Sequence, residues 1–288
     1  MAKKKKDQFV IAYLADLDRT DAVVGYARAV AGFLHKGLIL LFVCDKKYTS
    51  LSSDVAQKRL AAIKERYPGE DINVCVLKGN TREVITLLPT LLNAVIVVAG
   101  VNRRASILKP THPRRLLWDF GQCRTAYLTV QYRDCEEKPK NANADNLFRN
   151  VALRIDYDRQ SKEKLIWASY FARFNASRLH VIHENHRDSR LRTKFENNML
   201  FLENFFGGLG VKHETETMPS ASNFPDRQAV RQAVASGYDL LICTTTDTRE
   251  RDPLDWFIGT QESRVVRNKE CLPVLFINPR DDIYVLCD

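Results

Sequence analysis

The sequence predicts an α/β protein of two tandem, doubly wound domains, each carried by a five-stranded parallel sheet. Three observations predict it. The first is a repeat. Displaced by 140 positions, residues 11–19 (IAYLADLDR) fall on residues 151–159 (VALRIDYDR), so that Asp16 meets Asp156, Asp18 meets Asp158 and Arg19 meets Arg159. Residues 38–44 likewise meet 178–184, 94–100 meet 239–245, and 125–133 meet 272–280. Four matched segments in unchanged order describe two copies of one domain rather than one large fold. The second observation is that short apolar runs alternate with stretches of helical periodicity. The third is that those runs are apolar on both faces, as strands of a parallel sheet covered on each side must be.

In the first copy, residues 9–15 form an apolar run stopped by Asp16 and Asp18, which reads as a buried strand. Apolar or small residues then recur at Val23, Val24, Ala27, Val30, Ala31 and Leu34, a helix over 20–34 with Asp18 or Thr20 as N-cap and Gly37 as its end. Residues 38–44 are the second strand. A helix over 54–67 closes at Pro68-Gly69, and 72–77 is the third strand. A helix over 81–92 leads to the fully apolar strand 94–99. A polar, basic loop follows, then a helix over 113–121 and the strand 126–131.

The second copy gives strands at 151–155, 178–183, 211–216, 239–243 and 274–277, with helices at 161–174, 190–206, 225–236 and 260–269. The series is the Rossmann-like or flavodoxin-like one. In such sheets ligands bind outside the carboxyl ends of the strands, where the strand order reverses. The domain boundaries expected are a basic tail at 1–8, a first domain at 9–132, a linker at 133–146 and a second domain at 147–288. The linker (RDCEEKPKNANADN) is polar and without periodicity.

Composition excludes several classes. At 288 residues and 45% hydrophobic, the chain can bury two ordinary cores. Its apolar runs are far too short to span a bilayer, and no apolar stretch follows the basic residues at the start. Seven cysteines, scattered without CxxC spacing, suit a reducing compartment, so a cytoplasmic protein is expected. The formal charge of +9 is uneven: residues 1–144 hold 24 Lys/Arg against 14 Asp/Glu, and residues 145–288 hold 20 against 21. Lys3 to Lys6 supply four of the excess charges and read as a solubilising tail, with weak docking to nucleic acid or anionic lipid as the alternative. Nucleic acid is not an expected main partner.

The segment from Asp156 to Ala168 (DYDRQSKEKLIWA), directly after a strand, resembles the opening of universal stress protein domains. Gly259-Thr260, then Glu262, Val265, Val266, Cys271, Pro273 and the strand 274–277, resembles their closing segment, with Leu272 inserted between Cys271 and Pro273. The resemblance covers nearly the whole chain as two tandem domains. It implies a pseudo-twofold pair meeting through the last strands inside one chain, a regulatory role in stress response, and ATP or another adenine nucleotide as the ligand of the nucleotide-binding branch. It places Asp16 and Asp156 where adenine and ribose would lie, and Gly259 and Thr260 where phosphate would lie. The bland reading is that the two aspartates cap a strand end and a helix start, and that Gly259-Thr260 is a plain cap.

The departures bear on affinity. The nucleotide-binding branch carries G-x2-G-x9-G-[ST] after its fourth strand, and glycines there let backbone amides close on phosphate. In the second copy only Gly259-Thr260 survives, and the loop holds Asp247, Glu250, Asp252 and Asp255 against Arg249 and Arg251. In the first copy Gly100 stands alone, with His112-Pro113 in the place of the last pair. A second basic cluster, Arg103, Arg104, Lys109, Arg114 and Arg115, crowds that first-copy loop near Thr111. It reads either as a solvated basic face or as an anion site for a phosphate-bearing ligand or an acidic protein partner.

His180, His183 and His186 suggest a metal, but on a strand positions 180 and 183 face opposite ways, so no metal site is expected. Walker A, GxGxxG and G-x-S-x-G patterns are absent, and no catalytic residue is assigned. Trp118, Trp167 and Trp256 are expected to pack cores or a domain interface. The expected function is a regulatory or binding protein without catalytic activity. Nucleotide binding, with or without weak ATP hydrolysis, is the alternative.

Overall fold

The structure, a computed structural model, describes residues 8–132, 147–155, 161–184, 188–218, 225–245 and 261–278. The chain divides into two units, Met1–Leu147 and Phe148–Asp288. The basic tail, the linker at 133–146, Asp156, Gly259, Thr260, His186, Trp256 and the acidic loop before Gly259 lie outside the described residues.

The first unit runs β1 (Phe9–Tyr13), α1 (Asp21–Leu34), β2 (Gly37–Cys44), α2 (Ser53–Glu65), β3 (Ile72–Lys78), α3 (Thr81–Leu91), β4 (Ala94–Val101), α4 (Pro113–Phe120) and β5 (Ala126–Gln131). Its strands are parallel in the order β3-β2-β1-β4-β5. Right-handed crossovers therefore put α1 and α2 on one face and α3 and α4 on the other. Val10, Ile11, Ala12, Leu40, Leu41, Val97 and Val98 are fully buried, as central strands sandwiched by helices require. The strand order reverses between β1 and β4, and this fixes where a ligand crevice belongs.

Helix starts in this unit follow their capping chemistry. The Ser52 hydroxyl accepts from the Val55 amide at 3.3 Å, and the Asn80 carbonyl oxygen accepts from the Arg82 amide at 2.9 Å. Of two sequence expectations about α1, the Thr20 alternative for its cap holds in position and the Gly37 end is corrected. Thr20 stands at the N-cap of α1 but its side chain makes no capping bond, and Asp18 is not the cap. Gly37 does not end α1 either. His35 does, in the left-handed region at φ 52, while Gly37 opens β2 where a Cβ would lie 2.6 Å from an Asp71 carboxylate oxygen.

The second unit runs β6 (Asn150–Ile155), α5 (Ser161–Phe174), β7 (Arg178–His183), α6 (Ser189–Leu209), β8 (His213–Thr217), α7 (Pro225–Ala235), β9 (Leu240–Thr244), α8 (Gln261–Val266) and β10 (Val274–Ile277). Its parallel strands lie in the order β10-β9-β6-β7-β8, reversing between β6 and β9. The tandem reading of the sheets holds, with strand bounds within three residues of expectation. The helix expected over 190–206 runs on through Phe206 to Leu209 and ends at Gly210, whose φ of 65 suits a left-handed C-cap. The helix expected over 260–269 stops at Val266, where the Asn268 side chain donates to the Val265 and Leu272 carbonyls and ends the turn.

Candidate functional site

At the carboxyl ends of the central strands, where doubly wound sheets bind their ligands, the two units carry different chemistry. In the first unit β1 runs into Asp16, whose carboxylate accepts from the Asp18 amide at 3.0 Å and closes a short turn. Opposite, at the end of β4, Gly100 has no side chain because there is no room for one. A Cβ there would sit 2.1 Å from Cζ of Tyr132 and 2.2 Å from its hydroxyl oxygen. The Tyr132 amide donates to the Val101 carbonyl at 2.7 Å, so the backbone continues alongside β4 while the ring turns back over the glycine. Burial pushes the Tyr132 phenol pKa up; the Asp16 charge acts in the same direction and Arg19 opposes it. The ring is 7% exposed, and its hydroxyl has no hydrogen-bond partner among the described residues. At the carboxyl end of β4 the Tyr132 ring takes the space that a side chain at position 100 would need.

The loop from Asn102 to His112 is closed on itself as well. Its amides are used internally: Asn102 donates to the Thr111 carbonyl (2.8 Å), Ala105 to the Asn102 carbonyl (3.1 Å), Lys109 to the Ser106 carbonyl (2.9 Å) and His112 to the Lys109 carbonyl (3.0 Å). The Arg104 amide donates to the Asn102 side chain at 3.0 Å. At the start of α4, Pro113 has no N–H, and the Arg114 amide donates to Nδ1 of His112 at 3.2 Å. The helix start therefore presents fewer amides to an anion than the sequence suggests.

The basic cluster is divided. Arg103 and Arg114 are half-buried, and Arg104 and Lys109 are exposed on the same loop and helix start. Arg115 is engaged by its own partners: its Nε and Nη2 each reach an Asp119 carboxylate oxygen at 3.1 Å, and its guanidinium lies 5.4 Å from the Tyr48 ring centre. Burial lifts the Asp119 carboxyl to about 6, against the pull of Arg115, Arg82 and Lys47. Nearby, burial acts to raise Asp45 too, but the Thr81 and Lys47 amides hydrogen-bond its carboxylate and hold it below the ordinary range.

In the second unit the reversal point is polar and buried. Arg154 near the end of β6 pairs with Asp226 at the start of α7, Nη1 to Oδ1 at 2.7 Å. Lys164 in the first turns of α5 is fully buried and donates from Nζ to the Arg154 carbonyl at 3.1 Å. Glu262 at the start of α8 is 1% exposed. At the end of β9 the Thr245 hydroxyl donates to the Asn278 side-chain oxygen at 2.6 Å, and the buried Thr244 hydroxyl has no hydrogen-bond partner among the described residues. Chain order puts all these groups at the carboxyl end of the sheet.

None of Arg154, Lys164 or Asp226 is singled out by motif. The signal lies in the repeat: in the 140-residue register Arg154 falls on Leu14 and Lys164 on Val24, both fully buried in the first unit. A charge that replaces a core residue between copies marks the altered site. Asp156, Gly259 and Thr260, the sequence candidates here, lie outside the described residues.

The histidines are held by neighbours of other kinds. His180 stacks on Tyr238 with ring centres 4.2 Å apart, and Tyr238 in turn donates to Glu216. His183 Nε2 lies 3.3 Å from the Thr217 hydroxyl. Among the described residues no group of three or more His, Cys, Asp or Glu is placed to hold a metal. Trp167 is buried against Tyr170 and Phe171. Trp118 is not a core residue: it is 39% exposed, with the Arg82 guanidinium 4.9 Å from its ring centre.

No protein-family model matches the chain, and no curated protein matches its sequence. Solved structures do. A universal stress protein from Archaeoglobus fulgidus shares 15% identity at a TM-score of 0.67, over 95% of this chain and 97% of that one. A putative universal stress protein from Pseudomonas aeruginosa shares 16% at a TM-score of 0.62, over 97% and 95%. A protein of unknown function from the same species shares 15% at a TM-score of 0.63, over 96% and 94%. The fold is that of full-length universal stress proteins. Among the described residues no helix is long and apolar enough to cross a membrane.

Proposed function

We propose that this chain is a regulatory binding protein of the universal-stress type, cytoplasmic and without catalytic activity, whose two crevices are unequal. The observation that carries the reading is the contrast at the reversal points. The first is closed by Tyr132 over Gly100, and the second is lined by the buried groups Arg154, Lys164, Asp226 and Glu262. A protein that uses one fold twice and rebuilds the ligand end of each copy is suited to sensing or binding. The part in a stress response rests on the shared fold alone.

A second reading, binding of ATP or another adenine nucleotide, is favoured by one specific feature. Arg154 and Lys164 put two cations at the crevice of the second unit, where a phosphate-bearing ligand would lie. Their charge is balanced by Asp226 and Glu262, so any nucleotide affinity there is expected to be weak. The acidic loop before Gly259 points the same way.

Native mass spectrometry of the purified chain, followed by calorimetric titration with ATP, tests both readings. Weak or no binding and no ADP formed is the outcome expected. Micromolar ATP binding that is lost in Lys164→Met would replace the first reading with the second, and turnover to ADP would overturn the non-catalytic assignment.

A further inference from the structure

We propose that Tyr132 is a built-in gate, its ring occupying the ligand crevice of the first unit so that a ligand enters only when the ring leaves. The inference rests on the adenine-nucleotide reading offered for the second unit, extended to the first, and it adds how the first is regulated.

The position of the ring comes first. It lies over Gly100, the residue before the end of β4, and Asp16 and Arg19 of the loop after β1 act electrostatically on its hydroxyl. The ring thus stands at the carboxyl end of β4, one of the two strands between which the order reverses, and doubly wound sheets bind ligands at that reversal. The floor beneath it is bare backbone, since any side chain at position 100 would overlap the ring. A glycine at that point leaves the backbone open to close approach once the ring is gone.

The ring is also poorly satisfied where it lies. Its hydroxyl is buried without a hydrogen-bond partner among the described residues. A core tyrosine usually finds a partner for that donor. An unmet donor works against the closed position, and moving the ring to water removes that penalty. The second unit has Asn278 and Pro279 where the register puts Gln131 and Tyr132, so its sequence has no tyrosine at the matching position.

A closed gate lowers apparent affinity by the fraction of time it is open. Calorimetry and native mass spectrometry on the full chain, with ATP as the probe, therefore compare the parent with Tyr132→Ala and with Tyr132→Val, which keeps more of the packing. Each variant is expected to bind one ATP per chain beyond what the parent binds, at least tenfold tighter than the parent does at that crevice. p-Cresol, the tyrosine side chain as a free molecule, should compete for the added site. If folded Ala and Val variants bind the same number of ATP at the parent's affinity, the gate is overturned. The gate is overturned too if p-cresol enters the emptied crevice and ATP does not, because the ring is then only core. Failure of the nucleotide reading of the second unit looks different: the parent binds no ATP, while the variants gain one site.

Discussion

Arg154 and Asp226 form an ion pair, 2.7 Å between Nη1 and Oδ1, with each residue 9% exposed. Both charges have left water, and neither was legible as a pair because they lie 72 positions apart on a strand and a helix start. A buried pair is harmful to break and often harmless to replace outright. Arg154→Leu, which restores the residue of the first copy, should destabilise the second unit by about 3–5 kcal/mol because it takes the 2.7 Å ion-pair partner from a buried carboxylate. Arg154→Leu with Asp226→Leu should cost far less than either single change. Hydrogen exchange of the β6 amides reports the unit's stability, and additive losses would show that the two side chains act independently.

Tyr132→Phe separates a satisfied hydroxyl from an unsatisfied one. Where a tyrosine hydroxyl makes a good bond, its removal costs about 1 kcal/mol. Here the hydroxyl has no partner among the described residues, so the change should be neutral or stabilising by about 1 kcal/mol. A loss of stability in urea unfolding would mean that the hydroxyl is bonded in solution.

Gly100→Ala tests the same contact from the other side. The added Cβ would lie 2.1 Å from Tyr132 Cζ, so backbone and ring must part, at about 1–3 kcal/mol for overpacking. Adding Tyr132→Ala should relieve that part of the loss, giving strong non-additivity in a double-mutant cycle. A Gly100→Ala protein as stable as the parent would contradict the contact.

Much of this architecture is legible in sequence because it repeats. Apolar runs such as 38–44 and 94–99, set between stretches of helical periodicity, read as buried strands, whereas the caps Ser52 and Asn80 emerge only in the structure. What is hidden has a common cause. Tyr132 reads as the end of a strand, since nothing local says that its ring turns back over Gly100. Arg115 reads as one of five clustered cations, yet the carboxylate that claims it is Asp119, one helical turn on. An i,i+4 pair is visible in principle, and the charge count of the loop masks it. Lys164 looks like a solvated residue in a polar run until the register sets it on Val24.

Asp119 supplies a pH dependence. Burial lifts its carboxyl from 3.8 to about 6 in the folded protein. The folded state therefore binds this proton more tightly than the unfolded state does. The ionised carboxylate is a net cost above pH about 6, and stability rises relative to a non-titrating side chain as pH falls through 6 toward 4. Denaturation of the parent and of Asp119→Asn between pH 7 and pH 4 isolates this contribution, since other groups cancel in the difference. The parent should gain on the variant by about 2–3 kcal/mol over that window. A constant difference would mean that Arg115 dominates and the carboxyl titrates near its ordinary value.

The divided basic cluster yields the last expectation. Arg115 is tied to Asp119 and Tyr48, whereas Arg104 and Lys109 are exposed. Arg115→Ala should therefore act on stability, leaving a buried carboxylate without its partner at about 3–5 kcal/mol, and should leave polyphosphate binding unchanged. Arg104→Glu with Lys109→Glu should do the reverse: stability stays within about 0.5 kcal/mol, as for surface changes generally. Any affinity for polyphosphate or heparin should fall, with a shallower dependence on salt. The two experiments distinguish one anion site from two unrelated groups of cations. If Arg115→Ala weakens polyphosphate binding as much as the Arg104/Lys109 pair does, in protein that remains folded, then the five side chains act together and the division drawn from the Asp119 ion pair is wrong.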